Sequence, residues 1–97
     1  YPKEKKYQFN TYHTFVIQVR GRDKLRDYLK KKGIGTAIHY PIPIHLQPAA
    51  KKLKYNKNSF PVTEKQSKEI LTLPVHQFLS LKQIKFITDT INEYFKQ

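Results

Sequence analysis

The 97-residue chain contains no cysteine, no methionine and no tryptophan, only three glycines and only seven acidic residues. Without thiols there is no disulfide framework, no thiolate zinc site and no cysteine nucleophile. Nothing signals an oxidising compartment, and the cytoplasm is the default expectation. Three glycines are too few for the oxyanion-hole cluster or nucleophile elbow of a serine hydrolase. The longest apolar runs are a few residues, so neither a membrane-spanning helix nor a signal peptide is expected in this stretch. A translated chain starts with methionine, and one preceding the bulky Tyr1 is not normally trimmed. The chain is therefore expected to be a piece of a longer protein.

What is present argues for a folded domain. Hydrophobic residues make up 38% of the chain, and seven tyrosines and six phenylalanines supply large buried areas from few positions. At this length one domain hides about 60 to 65% of its unfolded surface, enough for a modest core. Sixteen lysines and three arginines against seven acids leave a formal charge of +12, which raises nucleic acid, an anionic membrane or an acidic substrate as partner. Bidentate reading of phosphates and bases favours arginine, so the lysine excess argues against a selected nucleic-acid face.

Residues 1–11 are charged and unpatterned and read as a linker or a ragged N-terminus, with a domain over 12–97. From Tyr12 to Arg20 the alternation of Phe15, Ile17 and Val19 predicts a strand. Leu25, Tyr28 and Leu29 place one apolar face on a helix from Arg22 to Lys32, with Asp23 in its first turn, lysines in its last and Gly33 at the stop. Ile34 to Tyr40 alternates again and predicts a second strand. Pro41, Pro43 and Pro48 then force a shaped loop, which enters a short helix near Ala49 to Leu53. Thr63 and Gln66 have the spacing of a capping box for a helix ending near Leu71; Leu71, Leu73 and Val75 alternate as a third strand that Pro74 ends or places at an edge. Ser80 and Gln83 form a second capping box, with Leu79 placed to staple onto Ile84, and Ile84, Ile87, Ile91 and Phe95 give the last helix its apolar face. The expected class is α/β: a short sheet of about three strands with helices mainly on one face.

Four histidines, His13, His39, His45 and His76, invite a metal reading, but their spacing and the lack of a nearby carboxylate or cysteine do not support one. Gly33-Ile34-Gly35 follows a helix and enters a strand, the reverse of a phosphate loop. Lys30-Lys31-Lys32 reads as a solvated helix end. Tyr12, Phe15 and Tyr40 have the residue types of an RNA-stacking surface, although core and groove-lining roles explain them better. The segment His39 to Pro48 is different: two imidazoles, a phenol and a carboxamide sit on a proline-stiffened frame, where polar groups can be presented to a ligand with little entropic loss. A stiff connector is the plainer alternative.

This same stretch, Gly33-Ile34-Gly35-Thr36-Ala37-Ile38-His39-Tyr40-Pro41-Ile42-Pro43-Ile44-His45-Leu46-Gln47-Pro48-Ala49, resembles the C-terminal domain of the DegT/StrS-type PLP-dependent nucleotide-sugar aminotransferases. Tyr12 to Val16, Phe60 to Glu64, Leu71 to Pro74 and Leu79 to Ile84 extend the likeness over Tyr12 to Phe95. The resemblance implies an aspartate-aminotransferase-like parent (fold type I), a homodimer in which a large N-terminal domain holds pyridoxal phosphate and this smaller domain closes the cleft. The implied reaction moves an amino group, typically from glutamate, to a keto-sugar on a nucleoside diphosphate, in polysaccharide or antibiotic-sugar biosynthesis. The family's Schiff-base lysine, its carboxylate facing the pyridine nitrogen and its phosphate cup lie upstream of the matched part, so no residue of this chain is expected to be catalytic.

What the resemblance carries over onto this chain is a substrate-binding rim of His39, Tyr40, His45 and Gln47, with imidazole and phenol as neutral donors. His76 departs from the aromatic more usual there. Two other readings accompany the enzyme one: a stand-alone basic nucleic-acid-binding module, and a non-catalytic regulatory relative of the family.

Overall fold

The computed structural model describes residues 3–96; Tyr1, Pro2 and Gln97, including the start of the expected linker, lie outside the described residues. The first regular element is β1, Phe15–Gln18, followed by α1, Arg22–Lys31. Two short 3-10 helices, Ile44–Leu46 and Pro48–Leu53, occupy the proline-rich middle. Then come α2, Pro61–Glu69, β2, Ile70–Leu73, and α3, Leu81–Lys96. Residues 3–14 are solvent-exposed, and a local turn there closes with Gln8 N donating to Lys5 O at 2.9 Å.

The sheet has two strands rather than the expected three. β1 and β2 pair antiparallel, with Phe15 opposite Leu73, Val16 opposite Thr72, Ile17 opposite Leu71 and Gln18 opposite Ile70. The stretch expected as a strand from Ile34 to Tyr40 does reach the sheet, but only through one bridge in which Ala37 and Thr72 exchange backbone hydrogen bonds of 3.1 and 2.8 Å. The expected strand is thus reduced to the single residue Ala37. Pairing is not contained in alternation, and here the chain leaves the sheet edge as it enters Pro41 and Pro43, which have no N–H for a ladder.

The sheet face carrying Ile17, Leu71 and Leu73 is covered by helices. Leu25 and Leu29 of α1, Ile34, Leu71 and Ile87 of α3 form the buried core, and Tyr28 meets Tyr94 across the two helices with ring centroids 5.3 Å apart. One-sided helix packing over a short sheet is the α/β arrangement expected.

α1 ends as its sequence predicts. Gly33 takes φ +79°, its N–H donates to Lys30 O at 3.0 Å, and Ile34 N donates back to Leu29 O at 2.9 Å, a Schellman closure that turns Ile34 into the core. α3 opens on the predicted capping box, with Ser80 N donating to Gln83 Oε1 at 2.9 Å and Gln83 N to Ser80 Oγ at 3.2 Å. Its inward stripe is Ile87 and Thr90, buried, with Ile91 and Tyr94 half-buried, while Ile84 and Phe95 remain largely exposed. The box expected at Thr63 and Gln66 does not form. α2 starts three residues earlier, with Phe60 at the N-cap and Pro61 first in the helix; the proline's fixed φ suits that position and its missing N–H leaves one donor fewer to cap.

Candidate functional site

The proline-rich loop hangs between two fixed ends. At one end Thr72, buried in β2, holds Ala37 through the paired backbone bonds, and its Oγ1 shares a 3.0 Å hydrogen bond with His39 Nδ1. His39 sits edge-on to Tyr40, centroids 5.4 Å apart, and Tyr40 projects into solvent with 72% of its surface exposed. The peptide joining these two residues is cis.

At the other end the first 3-10 turn closes through Leu46 N donating to Pro43 O at 2.9 Å and Gln47 N to Ile44 O at 3.1 Å. The Gln47 carboxamide folds back across the loop, its Nε2 donating to Ile42 O at 3.2 Å. Tyr40, Ile42, Pro43 and Gln47 thereby form one wall of a groove of about 220 Å³, whose opposite wall includes Thr63 and Gln66 of α2.

Of the four rim residues read from the sequence, Tyr40 and Gln47 meet in this groove and His39 stands beside Tyr40. His45 points the other way. It is buried, its Nε2 lies 2.9 Å from Glu64 Oε1 in the first turns of α2, and its ring packs edge-on to Phe60 at 4.9 Å. The same Glu64 oxygen accepts from Asn58 N at 2.7 Å and Phe60 N at 3.5 Å. An oxygen that accepts from backbone amides belongs to an acceptor carboxylate, so His45 Nε2 carries the hydrogen.

The hydrogen bond from His45, and then those from the Asn58 and Phe60 amides, hold the Glu64 carboxyl below its usual range against the opposing effect of burial. A carboxyl lowered on folding stabilises the fold above its unfolded value of about 4.3, and that contribution is lost as pH falls through the folded value. Melting curves for the wild type and Glu64→Gln should therefore converge progressively below about pH 4. Curves that stay equally far apart into strong acid would place the lowered carboxyl elsewhere.

The remaining histidines are apart from this groove. His13 and His76 line a separate cavity with Thr11, Tyr12, Val75 and Gln77, and His76 Nδ1 accepts from Phe78 N at 3.2 Å. Among the described residues no three His, Asp or Glu side chains gather as a metal cluster. Tyr12 and Phe15 lie 5.9 Å apart against an apolar cavity of about 260 Å³ beside Leu73 and Ile87, so Phe15 is half-buried.

Two residues that organise the loop were not singled out from the sequence. Glu64 lies 19 positions from His45, and Thr72 lies 33 from His39. No local spacing connects either pair. The only trace of Glu64 was its place in a stretch shared with the family.

The family model described as the DegT/DnrJ/EryC1/StrS aminotransferase family matches residues 1–92. A protein named pleiotropic regulatory protein from Geobacillus stearothermophilus is 36% identical over 95 residues, covering 98% of this chain and 26% of that protein. The dTDP-3-amino-3,6-dideoxy-alpha-D-galactopyranose transaminase of Aneurinibacillus thermoaerophilus is 33% identical over 85 residues, covering 88% of this chain and 23% of the enzyme. The crystal structure of S. venezuelae DesV in complex with a ketimine intermediate superposes with a TM-score of 0.83 at 33% identity, over 88% of this chain and 23% of DesV. The chain thus spans about a quarter of the length of the curated relatives it matches. With a family model covering nearly its whole length, the chain belongs to the DegT/DnrJ/EryC1/StrS aminotransferase family.

Proposed function

We propose that this chain is the small C-terminal domain of a pyridoxal-phosphate-dependent aminotransferase that aminates a nucleotide-linked keto-sugar, with glutamate as donor, and that it closes the substrate cleft of a homodimer. The observation that carries the reading is the loop from His39 to Gln47, which offers the Tyr40 hydroxyl and the Gln47 carboxamide oxygen along one groove, with His39 held beside them. Nucleotide-sugar transaminases among the relatives support the substrate class.

The residues of this chain do not fit a cofactor-holding role. A lysine that forms a Schiff base is sheltered so that its amine is neutral and nucleophilic, whereas all sixteen lysines here are solvent-exposed. The contribution of this chain is on the substrate side: Tyr40 donates from its phenol, Gln47 accepts through Oε1, and Thr72 fixes the His39 ring by occupying Nδ1. Turnover in the cytoplasm belongs to the same proposal; no helix among the described residues is long and apolar enough to cross a membrane.

The test uses the full-length protein that carries this chain. Purified with pyridoxal phosphate, it should show the cofactor's bound absorbance and lose it on borohydride reduction. With a nucleotide-linked keto-sugar, Tyr40→Phe is expected to raise KM about tenfold, the effect of one hydrogen bond of about 1.4 kcal/mol. An unchanged KM in both Tyr40→Phe and Gln47→Ala would remove the rim assignment. A second reading is a non-catalytic regulator, favoured by the name of the Geobacillus relative. No bound cofactor in the full-length protein is the outcome that reading expects.

A further inference from the structure

We infer that Glu64 is a positioning residue for the proposed substrate groove: through His45 it sets the shape of the loop that presents Tyr40 and Gln47. The inference rests on the reading of that groove as a nucleotide-sugar site. Glu64 lies outside the rim and does not line the groove. Its role follows from what its single oxygen Oε1 collects, namely His45 Nε2 at 2.9 Å, Asn58 N at 2.7 Å and Phe60 N at 3.5 Å. One acceptor thereby ties the first 3-10 turn to the segment that leads into α2.

Each end of the loop then has one buried organiser. Thr72 holds Ala37 and His39; Glu64 holds His45. Between them lie Pro41 and Pro43, which donate no backbone hydrogen bond, so the path of residues 40–44 depends strongly on its two ends. The turn that Glu64 grips, Ile44–Leu46, is the one whose closing bonds place Leu46 and Gln47, and Gln47 in turn reaches back to Ile42. His45 has no freedom to wander, because Phe60 packs on its ring and Tyr55 packs on Phe60 at 5.0 Å. None of Glu64, His45 or Phe60 belongs to the core built by Leu25, Leu29, Ile34, Leu71 and Ile87. Loss of the Glu64 grip should loosen the loop while the core persists.

The experiment compares the full-length wild type with Glu64→Ala and Glu64→Gln. Hydrogen exchange read by mass spectrometry should show the amides of Leu46, Gln47 and Ala50 exchanging at least about tenfold faster in Glu64→Ala, with the β1 and β2 peptides unchanged. Glu64→Gln keeps an oxygen in the same place and should restore most of the protection. In parallel, dTDP-glucose and UDP-N-acetylglucosamine serve as stable probes of the groove, and their affinity should fall about tenfold in Glu64→Ala and recover in Glu64→Gln. The half-reaction with glutamate, followed by the cofactor's absorbance, should change less than about twofold.

Exchange that is unchanged in the loop, or that rises equally across the whole protein, overturns the inference in favour of no role or a general structural one. A loosened loop with unaltered probe affinity overturns it as well. If neither nucleotide sugar binds the wild type, the proposed substrate reading fails, and the positioning of a nucleotide-sugar groove fails with it. Exchange confined to the loop then still identifies Glu64 as the loop's anchor, which separates that failure from a failure of the geometry.

Discussion

Leu71→Ala is expected to cost about 2–5 kcal/mol of stability, the range for deleting a fully buried leucine side chain whose cavity cannot collapse. Leu71 is wholly inaccessible to solvent, in β2, opposite Ile17 on the strand pair and beneath Leu25 and Leu29 of α1. Three elements converge on it, so few neighbours are free to fill the space. A small domain has about 5–15 kcal/mol in hand. Each kcal/mol is worth about 4–8 °C in Tm at this size. The variant should therefore melt well below the wild type, with urea midpoint and Tm falling together. Leu81→Ala, at a position 84% exposed, is the matched control and should stay within about 0.5 kcal/mol. If the two substitutions cost the same, the core is not centred where Leu25, Leu29 and Leu71 meet.

Arg22→Leu should rank next in size, and for a different reason. Arg22 opens α1, yet its side chain is buried rather than solvated. Nη1 donates to Ile70 O at 2.8 Å and to Ser67 O at 3.3 Å, and Nε donates to Asp23 Oδ1 at 2.7 Å. Ser67 lies in the last turn of α2, and Ile70, the first residue of β2, is its C-cap, so both carbonyls sit at a helix C-terminus, where acceptors lack helical partners and the backbone dipoles favour a cation. Leucine would leave both without a donor, at about 1–3 kcal/mol for each unsatisfied group. The two together come to about 2–6 kcal/mol by denaturant unfolding, reduced in part by the burial of the leucine side chain itself. Arg22→Lys should recover only part of it, because an ammonium on a flexible stem does not reproduce the planar fork. Asp23→Asn should cost little, since that carboxylate is 75% exposed and its ion pair is screened. A large loss at Asp23 together with a small one at Arg22 would move the stabilisation from the helix end to the ion pair.

Arg22 also marks where sequence reasoning stops. Its position at the start of a helix was readable, but the direction of its side chain was not. The partners lie 45 and 48 residues away. The same holds for the loop. The residues of His39 to Pro48 announced a stiffened, polar presentation, and the structure forms a groove from Tyr40 and Gln47. That His45 turns inward to Glu64 while its neighbours face the groove is not a property of the loop's composition. α3 gives a milder case: its apolar residues at helical spacing located the helix, yet Thr90 and Tyr94 face the core more than Ile84 does. Which part of a broad apolar face is buried depends on how α1 lies against it.

The segment Ile34 to Tyr40 shows the limit for strands. Its alternation was real, and it does run beside β2, but a strand needs a partner in register, and only Ala37 finds one. For α2 two local signals competed. The spacing of Thr63 and Gln66 suited a capping box, while Pro61 suited the first helical position, and the helix follows the proline.

By itself the sequence determined the elements whose signals act within a few residues: the α1 stop at Gly33, the Ser80 and Gln83 cap of α3, the alternation of β1 and β2, and the stiffness of the proline loop. It also carried the family likeness, in a motif continuous along the chain. Only the tertiary structure decided how many strands pair, which histidine is buried, and that Arg22, Glu64 and Thr72 are organising residues. The physical reason is one of range. Caps, turns and periodicity are settled by neighbours along the backbone, whereas the partners of Arg22, Glu64 and Thr72 are 19 to 48 residues distant and are chosen only when burial of the core brings distant segments together.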